Sequence, residues 1–239
     1  MSYLYINNLI VPRYALGACL IHSDYFHEIE IFRCANTKEI ELLSSSSVVK
    51  SFSKGRFIVK ENEPPTHVYF ILSGSCHVQL NGKSGKEIII KDLYKGDCFG
   101  ELGAFCNSKR CANVVANNDL MLIIINANAY VSYCNNNLVA AQITINKLAK
   151  SLSKITKDFQ SLAMDDLTHR LIRTLFEVST KQNNKFLVNL THNQLATRTS
   201  SSRESVSRVI SKLKKNGFIH IHDYEIELDN TLIELHSQL

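Results

Sequence analysis

A narrow seam of apolar residues runs through this 239-residue chain from Leu138 to Leu162. Its members recur at alternating spacings of three and four residues, which is the heptad pattern of a coiled coil. They are Leu138, Ala141, Ile145, Leu148, Leu152, Ile155, Phe159 and Leu162. Because neither glycine nor proline interrupts the seam, it predicts one long helix within residues 127–163. A seam this long and narrow favours a parallel pair of helices, and so a homodimer, over a helix packed only on its own chain.

The chain before this helix has a different sequence pattern. From Ile40 to about Ile125 it reads as short β-rich runs separated by glycine, among them RFIV, HVYFIL, CHVQL, KEIII and LMLIII. Runs this short and this regularly broken are typical of a small antiparallel barrel or jelly roll. We therefore expect a β-barrel over residues 28–126. The sequence assigns no role to the extension that precedes it, residues 1–27.

The most specific pattern in the chain is LTHNQLATRTSSSRESVSRVISKLKKNGFI, residues 190–219. It reads as two short amphipathic helices separated by a serine-rich turn. The second helix, from about Ser202 to Lys215, has one apolar stripe, formed by Val206, Val209, Ile210 and Leu213. After it, FIHIH and YEIEL alternate like a two-stranded wing. The pattern predicts a winged helix-turn-helix over residues 164–239, so the whole chain is of the α+β class.

Basic residues concentrate on the second of these helices. Residues 198–215 hold six Lys and Arg side chains against the single acid Glu204, although the net charge of the whole chain is only +5. Such a local excess points to a polyanionic partner. Arginine can pair with guanine and a carboxylate can accept from cytosine N4, so Arg203, Glu204 and Arg208 are candidates for reading bases. The alternative is a solvated face on which Glu204 and Arg208 form an ion pair. We predict DNA contacts from Ser202, Arg203, Glu204, Ser207, Arg208 and Lys212.

The segment from Leu162 to Leu228 resembles the DNA-binding half of the Crp/Fnr family of transcription regulators. LAMDDLTHRLIRTLF is similar to the family's hinge and first helix, and SRESVSRVISKL to its recognition helix. The resemblance implies that Arg203, Glu204 and Arg208 contact a TGTGA-like half-site, repeated as a palindrome in double-stranded DNA. It also implies RNA polymerase as a partner. One departure is Ser200, in a turn where the family usually has glycine.

A second motif is FGELGAFCNSKRCAN, from Phe99 to Asn113. Binding a phosphate inside a barrel requires backbone N–H groups that can come close, which glycine permits, and a fixed cation. Gly100 and Gly103 with Arg110 supply both, and the carboxylate of Glu101 could accept from a ribose hydroxyl.

This motif resembles the phosphate-binding cassette of cyclic-nucleotide-binding domains. The resemblance implies that Glu101 binds the ribose 2′-OH and that Arg110 binds the cyclic phosphate of the effector, with cAMP as the first candidate. Further ligand contacts are implied for Gly100, Leu102, Cys111, Ala112 and Thr156.

Three departures from that pattern leave an alternative open. Cys111 stands where cAMP-responsive relatives have a serine or threonine, and a thiol is a weaker donor. Ser151 stands in place of an arginine that braces the ribose-binding carboxylate, and Ile155 replaces the first of two hydroxyl residues near the adenine. In the alternative, Glu101 and Arg110 pair with each other in a degenerate pocket. The regulator is then constitutively active or senses another ligand.

Other classes of protein find little support in the sequence. Seven scattered cysteines without a CxxC pair fit a reducing cytosol, and Cys19 and Cys34 are too far apart to resemble an iron–sulfur cluster motif. Cys76 and His77 form the only adjacent pair that could ligate haem, but strand packing is the commoner reason for such a pair. We therefore expect no metal, haem or cluster. No GxSxG or HExxH motif marks an enzyme. No apolar run is long enough to span a membrane, and we therefore expect a cytoplasmic location.

Overall fold

The structure is a computed structural model that describes residues 3–6, 9–12, 24–82, 87–182, 185–222 and 225–232. It divides the chain into two compact units. One holds Met1–Leu80 and Ile90–Lys150, and the other holds Asn81–Ile89 and Ser151–Leu239. The domain boundaries drawn from the sequence stay predictions. Cys19 lies outside the described residues.

The N-terminal part of the chain is an antiparallel β-barrel of two four-stranded sheets, as predicted. The strands run in the orders β3-β10-β5-β8 and β4-β9-β6-β7. Their bounds are β3 (Ser47–Phe52), β4 (Phe57–Val59), β5 (His67–Ser73), β6 (Cys76–Asn81), β7 (Glu87–Leu93), β8 (Cys98–Phe99), β9 (Asn113–Ala116) and β10 (Leu120–Asn126). A separate hairpin precedes them, formed by β1 (Tyr3–Ile6) and β2 (Leu9–Pro12).

The core of the barrel explains the apolar runs. Strand β10 is buried on both faces from Leu120 to Ile125, which is why LMLIII shows no alternation. Its side chains join two apolar clusters, one of which includes Phe32 and Phe70 and the other Cys76 and Phe99. The helices around the barrel are α1 (Asp24–His27), α2 (Thr37–Ser45), α3 (Glu101–Cys106) and α4 (Ala127–Asn136).

The long helix is present as α5 (Leu138–Met164), and it contains the whole apolar seam. The helical region that begins at residue 127 is not continuous, however. Asn137 has extended backbone angles between α4 and α5, and its side-chain oxygen accepts from the backbone N–H of Ala140. An asparagine that caps the first turn of α5 in this way ends one helix and starts the next.

The C-terminal part of the chain is a winged helix-turn-helix, as predicted. Its helices are α6 (Leu167–Val178), α7 (His192–Arg198) and α8 (Arg203–Lys215). A four-stranded sheet in the order β11-β12-β14-β13 packs with them, with bounds β11 (Thr180–Gln182), β12 (Lys185–Val188), β13 (Ile219–His222) and β14 (Glu225–Leu228). Asp166, Thr191 and Ser202 cap the three helices through their side chains. Within the described residues, no helix combines the length and apolarity that crossing a membrane requires.

Candidate functional site

Helix α8 carries the predicted DNA contacts on its solvent side. Val206, Ile210 and Leu213 are buried in the core of the C-terminal unit. The opposite face exposes the charged side chains of Arg203, Glu204, Arg208 and Lys212. Ser202 caps the helix by accepting from the backbone N–H of Ser205, and Ser207 is half-buried. The buried stripe therefore fixes the helix so that its basic face is available to a partner.

Glu204 lies on the exposed face of α8 beside Arg203 and Arg208. Among the described residues it forms no ion pair with Arg208, which the solvated-face alternative required. A hydrogen bond with its own backbone N–H, followed by one with Ser202, holds the pKa of the Glu204 carboxyl below its usual value, with smaller contributions from the positive charges of Arg203 and Arg208. The carboxylate is thus ionised at neutral pH and can accept further hydrogen bonds.

The turn between α7 and α8 contains a strained serine. Ser200 has a φ of +55°, in the left-handed region that favours glycine. This is the position at which the family usually has glycine, so serine here adopts a backbone conformation that glycine would adopt without strain.

Ser200→Gly should therefore raise the free energy of unfolding. Relief of the left-handed strain outweighs the added entropy of the unfolded chain, and we expect a gain of about 0.5–1 kcal/mol. Denaturant unfolding of the full chain measures it. Ser201→Gly is the matched control, because Ser201 does not have a positive φ and its replacement should destabilise. A loss of stability in both variants would contradict the strain argument.

In the barrel, Arg110 is buried and bonded to backbone carbonyls. Only 5% of the residue is exposed. Its Nη1 donates to the Gly100 carbonyl over 2.7 Å, and its Nη2 donates to the carbonyl of His67. The guanidinium also lies 5.8 Å from the centre of the Tyr69 ring. These contacts fix the guanidinium of Arg110 in place within the motif of residues 99–113.

Gly100 is required by this arrangement. It has a φ of +85° at the start of α3, and a Cβ there would lie 2.7 Å from Nη1 of Arg110. Any side chain at this position would displace the guanidinium. The glycine and the arginine of the cassette therefore form one structural unit.

Glu101 follows at the first position of α3. Burial raises the pKa of its carboxyl, against the effects of a hydrogen bond with its own backbone N–H and of the positive charges of Lys91 and Arg110. Although Arg110 is near enough to influence it, the two side chains form no ion pair. The alternative in which they pair with each other is thus not the arrangement found, because Arg110 donates to carbonyls instead.

The other predicted ligand contacts differ in their exposure. Cys111 and Leu102 are exposed, whereas Ala112 is buried. Thr156 lies on α5 in the second unit, where its side chain is exposed and its hydroxyl donates to the carbonyl of Leu152 over 3.0 Å. Ser151 is half-buried on the same helix.

Cys76 and His77 occupy a strand of the barrel. The side chain of Cys76 is fully buried in an apolar cluster, and burial raises the pKa of its thiol to about 12. The ring nitrogens of His77 contact the side-chain oxygens of Asn117 and Gln79. Across the described ranges, no group of three or more His, Cys, Asp or Glu side chains could hold a metal ion.

Comparison with known families matches both parts of the chain. The model of the cyclic nucleotide-binding domain matches residues 49–137, and the model of the Crp-like helix-turn-helix domain matches residues 169–231. The first match includes the whole cassette, and the second includes α7, α8 and the strands of the wing.

Two of the similar curated proteins are transcription regulators. The cAMP-activated global transcriptional regulator CRP of Haemophilus influenzae is 26% identical over 171 residues, which cover 69% of this chain and 76% of that protein. The anaerobic regulatory protein of Bacillus subtilis is 26% identical over 217 residues, which cover 82% and 90%. Among solved structures, the c-di-GMP-responsive global regulator CLP of Xanthomonas campestris superposes with a TM-score of 0.71 at 22% identity, covering 81% of this chain and 99% of that one.

Proposed function

The chain belongs to the Crp/Fnr family of transcription regulators, and on that premise we propose that it is a homodimer whose binding to DNA is controlled by a cyclic nucleotide. The proposed DNA site is a TGTGA-like palindrome, and the proposed effector is cAMP, bound beside the cassette. RNA polymerase is the expected protein partner. The observation that carries the proposal is the exposed face of α8, on which Arg203, Glu204 and Arg208 stand together.

The side chains on this face suit the major groove. An α-helix fits that groove, where arginine can pair with guanine and glutamate can accept from cytosine N4. Lys212 and Ser202 lie at opposite ends of the same helix and are proposed to contact phosphates, which fix the position of the protein on the duplex.

The seam of α5 supports the dimer. In the single chain, Leu138, Leu152 and Phe159 are 86%, 66% and 72% exposed. A continuous apolar stripe of this kind on a long helix is normally covered by a partner. With the seam residues at positions a and d of the heptad, the e and g positions within α5 are uncharged except for Asp158. Two identical helices can therefore approach without repulsion between like charges at these positions.

The cassette supports a phosphate-bearing effector. Arginine has more N–H donors than the two that Arg110 uses on carbonyls, so the same side chain can hold the barrel and still bind a phosphate. Glu101 lies next to Gly100 and could accept from a ribose hydroxyl. The similar regulator from Haemophilus influenzae is named as cAMP-activated, which makes cAMP the first effector to test.

Control by the effector would be a shift between two arrangements of the helix pair. DNA accepts paired recognition helices only at a half-site spacing of about 34 Å. A ligand that favours the arrangement with this spacing raises the affinity for DNA. To change the dimer from mostly inactive to mostly active, the ligand needs a preference of about 5.5 kcal/mol for the active state.

A constitutive regulator, or one that senses another ligand, is the second candidate. Cys111 is an exposed thiol in place of a hydroxyl donor, and neither Ser151 nor Ile155 supplies the contact that cAMP-responsive relatives have. These differences weaken the cAMP contacts, and a structurally similar regulator is described as responsive to c-di-GMP.

Calorimetry followed by a gel shift distinguishes the two candidates. cAMP or cGMP is titrated into the purified protein, and binding to a TGTGA palindrome is then measured with and without the nucleotide. We expect cAMP to release heat and to strengthen the shift, while a scrambled duplex of equal length stays weakly bound. Absence of heat together with an unchanged shift would reject cAMP and leave the constitutive regulator.

A further inference from the structure

A cleft of about 510 Å³ lies between α7, α8 and the strands of the wing. His192 contributes to it from the first turn of α7, Arg203 from the first turn of α8, and Ile221 and Ile226 from β13 and β14. Arg203 is one of the predicted base contacts, so the cleft opens beside the face that is proposed to read DNA. His192 is not explained by that function.

His192 is hydrogen-bonded to the recognition helix. Its Nδ1 lies 2.9 Å from the hydroxyl oxygen of Ser207, and both residues are half-buried. Ser207 follows Arg203 by four residues, so their side chains share a face of α8. The imidazole is thus placed to control the hydroxyl of a residue that lies on the DNA-reading face.

We propose that His192 is a positioning residue that sets the base preference of Ser207 according to pH. In the neutral imidazole with its proton on Nε2, Nδ1 accepts the hydroxyl proton of Ser207. The serine oxygen then has only lone pairs for the DNA, and it accepts from adenine N6 or cytosine N4. This inference rests on the proposed function, because it requires α8 to lie in the major groove.

Protonation of His192 reverses the direction of the hydrogen bond. Both ring nitrogens of an imidazolium are donors, so Nδ1 donates to the oxygen of Ser207. The hydroxyl proton no longer bonds to His192 and can be donated to guanine, to thymine O4 or to adenine N7. Cytosine presents only a donor in the major groove and therefore suits the serine at high pH, whereas guanine and thymine present only acceptors and suit it at low pH.

The charged surroundings of His192 are simple on the described part of the chain. Arg203 from α8 is the only other charged residue that lines the cleft. The contributions of β13 and β14 are the apolar Ile221 and Ile226, and residues 189–191 and 193–194 are uncharged. No titratable side chain of α6 lines it. A pH effect on Ser207 is therefore assigned to His192 itself.

The test is a selection from duplexes with randomised half-sites, carried out on the full-length protein at about pH 5 and at about pH 8. It is run with and without cAMP. Base frequencies within one selection are relative, so a change in total affinity with pH does not affect them. We expect the preference at one half-site position to move from cytosine at the higher pH to guanine or thymine at the lower, by about tenfold.

Two variants assign the effect. His192→Gln cannot titrate and should keep one preference at both pH values, and Ser207→Ala should show little preference at that position. His220→Gln is the matched control, since His220 contacts Asp229 in the wing, and it should behave like the parent protein.

Three results would overturn the inference. One is a parent protein with equal base preferences at both pH values, and another is a shift that persists in His192→Gln. If the parent selects no sequence at either pH, the proposed function fails together with this inference. Thermal unfolding of each variant separates a lost preference from a lost fold.

Discussion

A glutamate in place of Leu152 should dissociate the proposed dimer and abolish sequence-specific binding to a palindrome. Leu152 is 66% exposed in the single chain, so the protomer depends little on it for folding. In a helix pair the side chain would be buried, and burial of one leucine contributes about 1.5–3 kcal/mol. Loss from both helices therefore costs about 3–6 kcal/mol, or ~10²–10⁴-fold in the dissociation constant of the dimer. Analytical ultracentrifugation measures this constant, and a gel shift measures the consequence for DNA.

Ser153→Glu is the control for this experiment. It adds the same charge to the next residue of α5, where the side chain is exposed but lies off the seam. The control should dimerise and bind the palindrome as the parent does. If Leu152→Glu stays dimeric at the concentrations at which the parent is dimeric, the seam is not the interface, and the two half-sites must be bound in some other way.

Much of the fold follows from local patterns. The seam gave α5 because helix periodicity over seven turns leaves no competing structure, and the apolar stripe of Val206, Ile210 and Leu213 located α8 for the same reason. The glycine-broken runs indicated the barrel, since strands this short need frequent turns. In each case the pattern of buried residues that determines the structure is formed by residues close together in the sequence.

Features that depend on distant residues were harder to predict. The division of the helical region at Asn137 depends on a side-chain cap, although the run of three asparagines at 135–137 is a signal that could have indicated it. Strand β11 has three polar residues and β12 has only four residues, so neither shows alternation; β12 pairs with β14, and β11 pairs with β12. Periodicity alone does not predict such a pairing.

The site shows the same division. Its main residues could be predicted from the sequence, because the motif of residues 99–113 and the recognition helix are each continuous in the chain. The carbonyl of His67 and the ring of Tyr69 were not, because they reach Arg110 from a strand some forty residues away. The contact between His192 and Ser207 likewise joins two helices across the turn. Partners of this kind become visible only when the chain is folded.

Arg110→Ala should abolish the response to cAMP and also weaken the barrel. The proposed phosphate contact is lost, so added nucleotide should no longer strengthen the gel shift. In addition, the carbonyls of Gly100 and His67 lose a charged donor in a buried place. Removing such bonds lowers the free energy of unfolding by about 2–3 kcal/mol. Calorimetric titration and denaturant unfolding measure the two effects separately, and ligand-free DNA binding should persist because α8 is unchanged.

Two further variants separate the role of Arg110 in ligand binding from its role in stability and from DNA binding. Arg110→Lys keeps the charge but cannot direct a planar fork at two carbonyls, so it should recover part of the cAMP affinity and little of the stability. Arg203→Ala should do the reverse, keeping the calorimetric signal while losing about 1–3 kcal/mol of sequence-specific DNA binding. If Arg110→Ala responds to cAMP as the parent does, the guanidinium serves only to hold the Gly100 turn against β5. The effector, if there is one, must then bind through other groups.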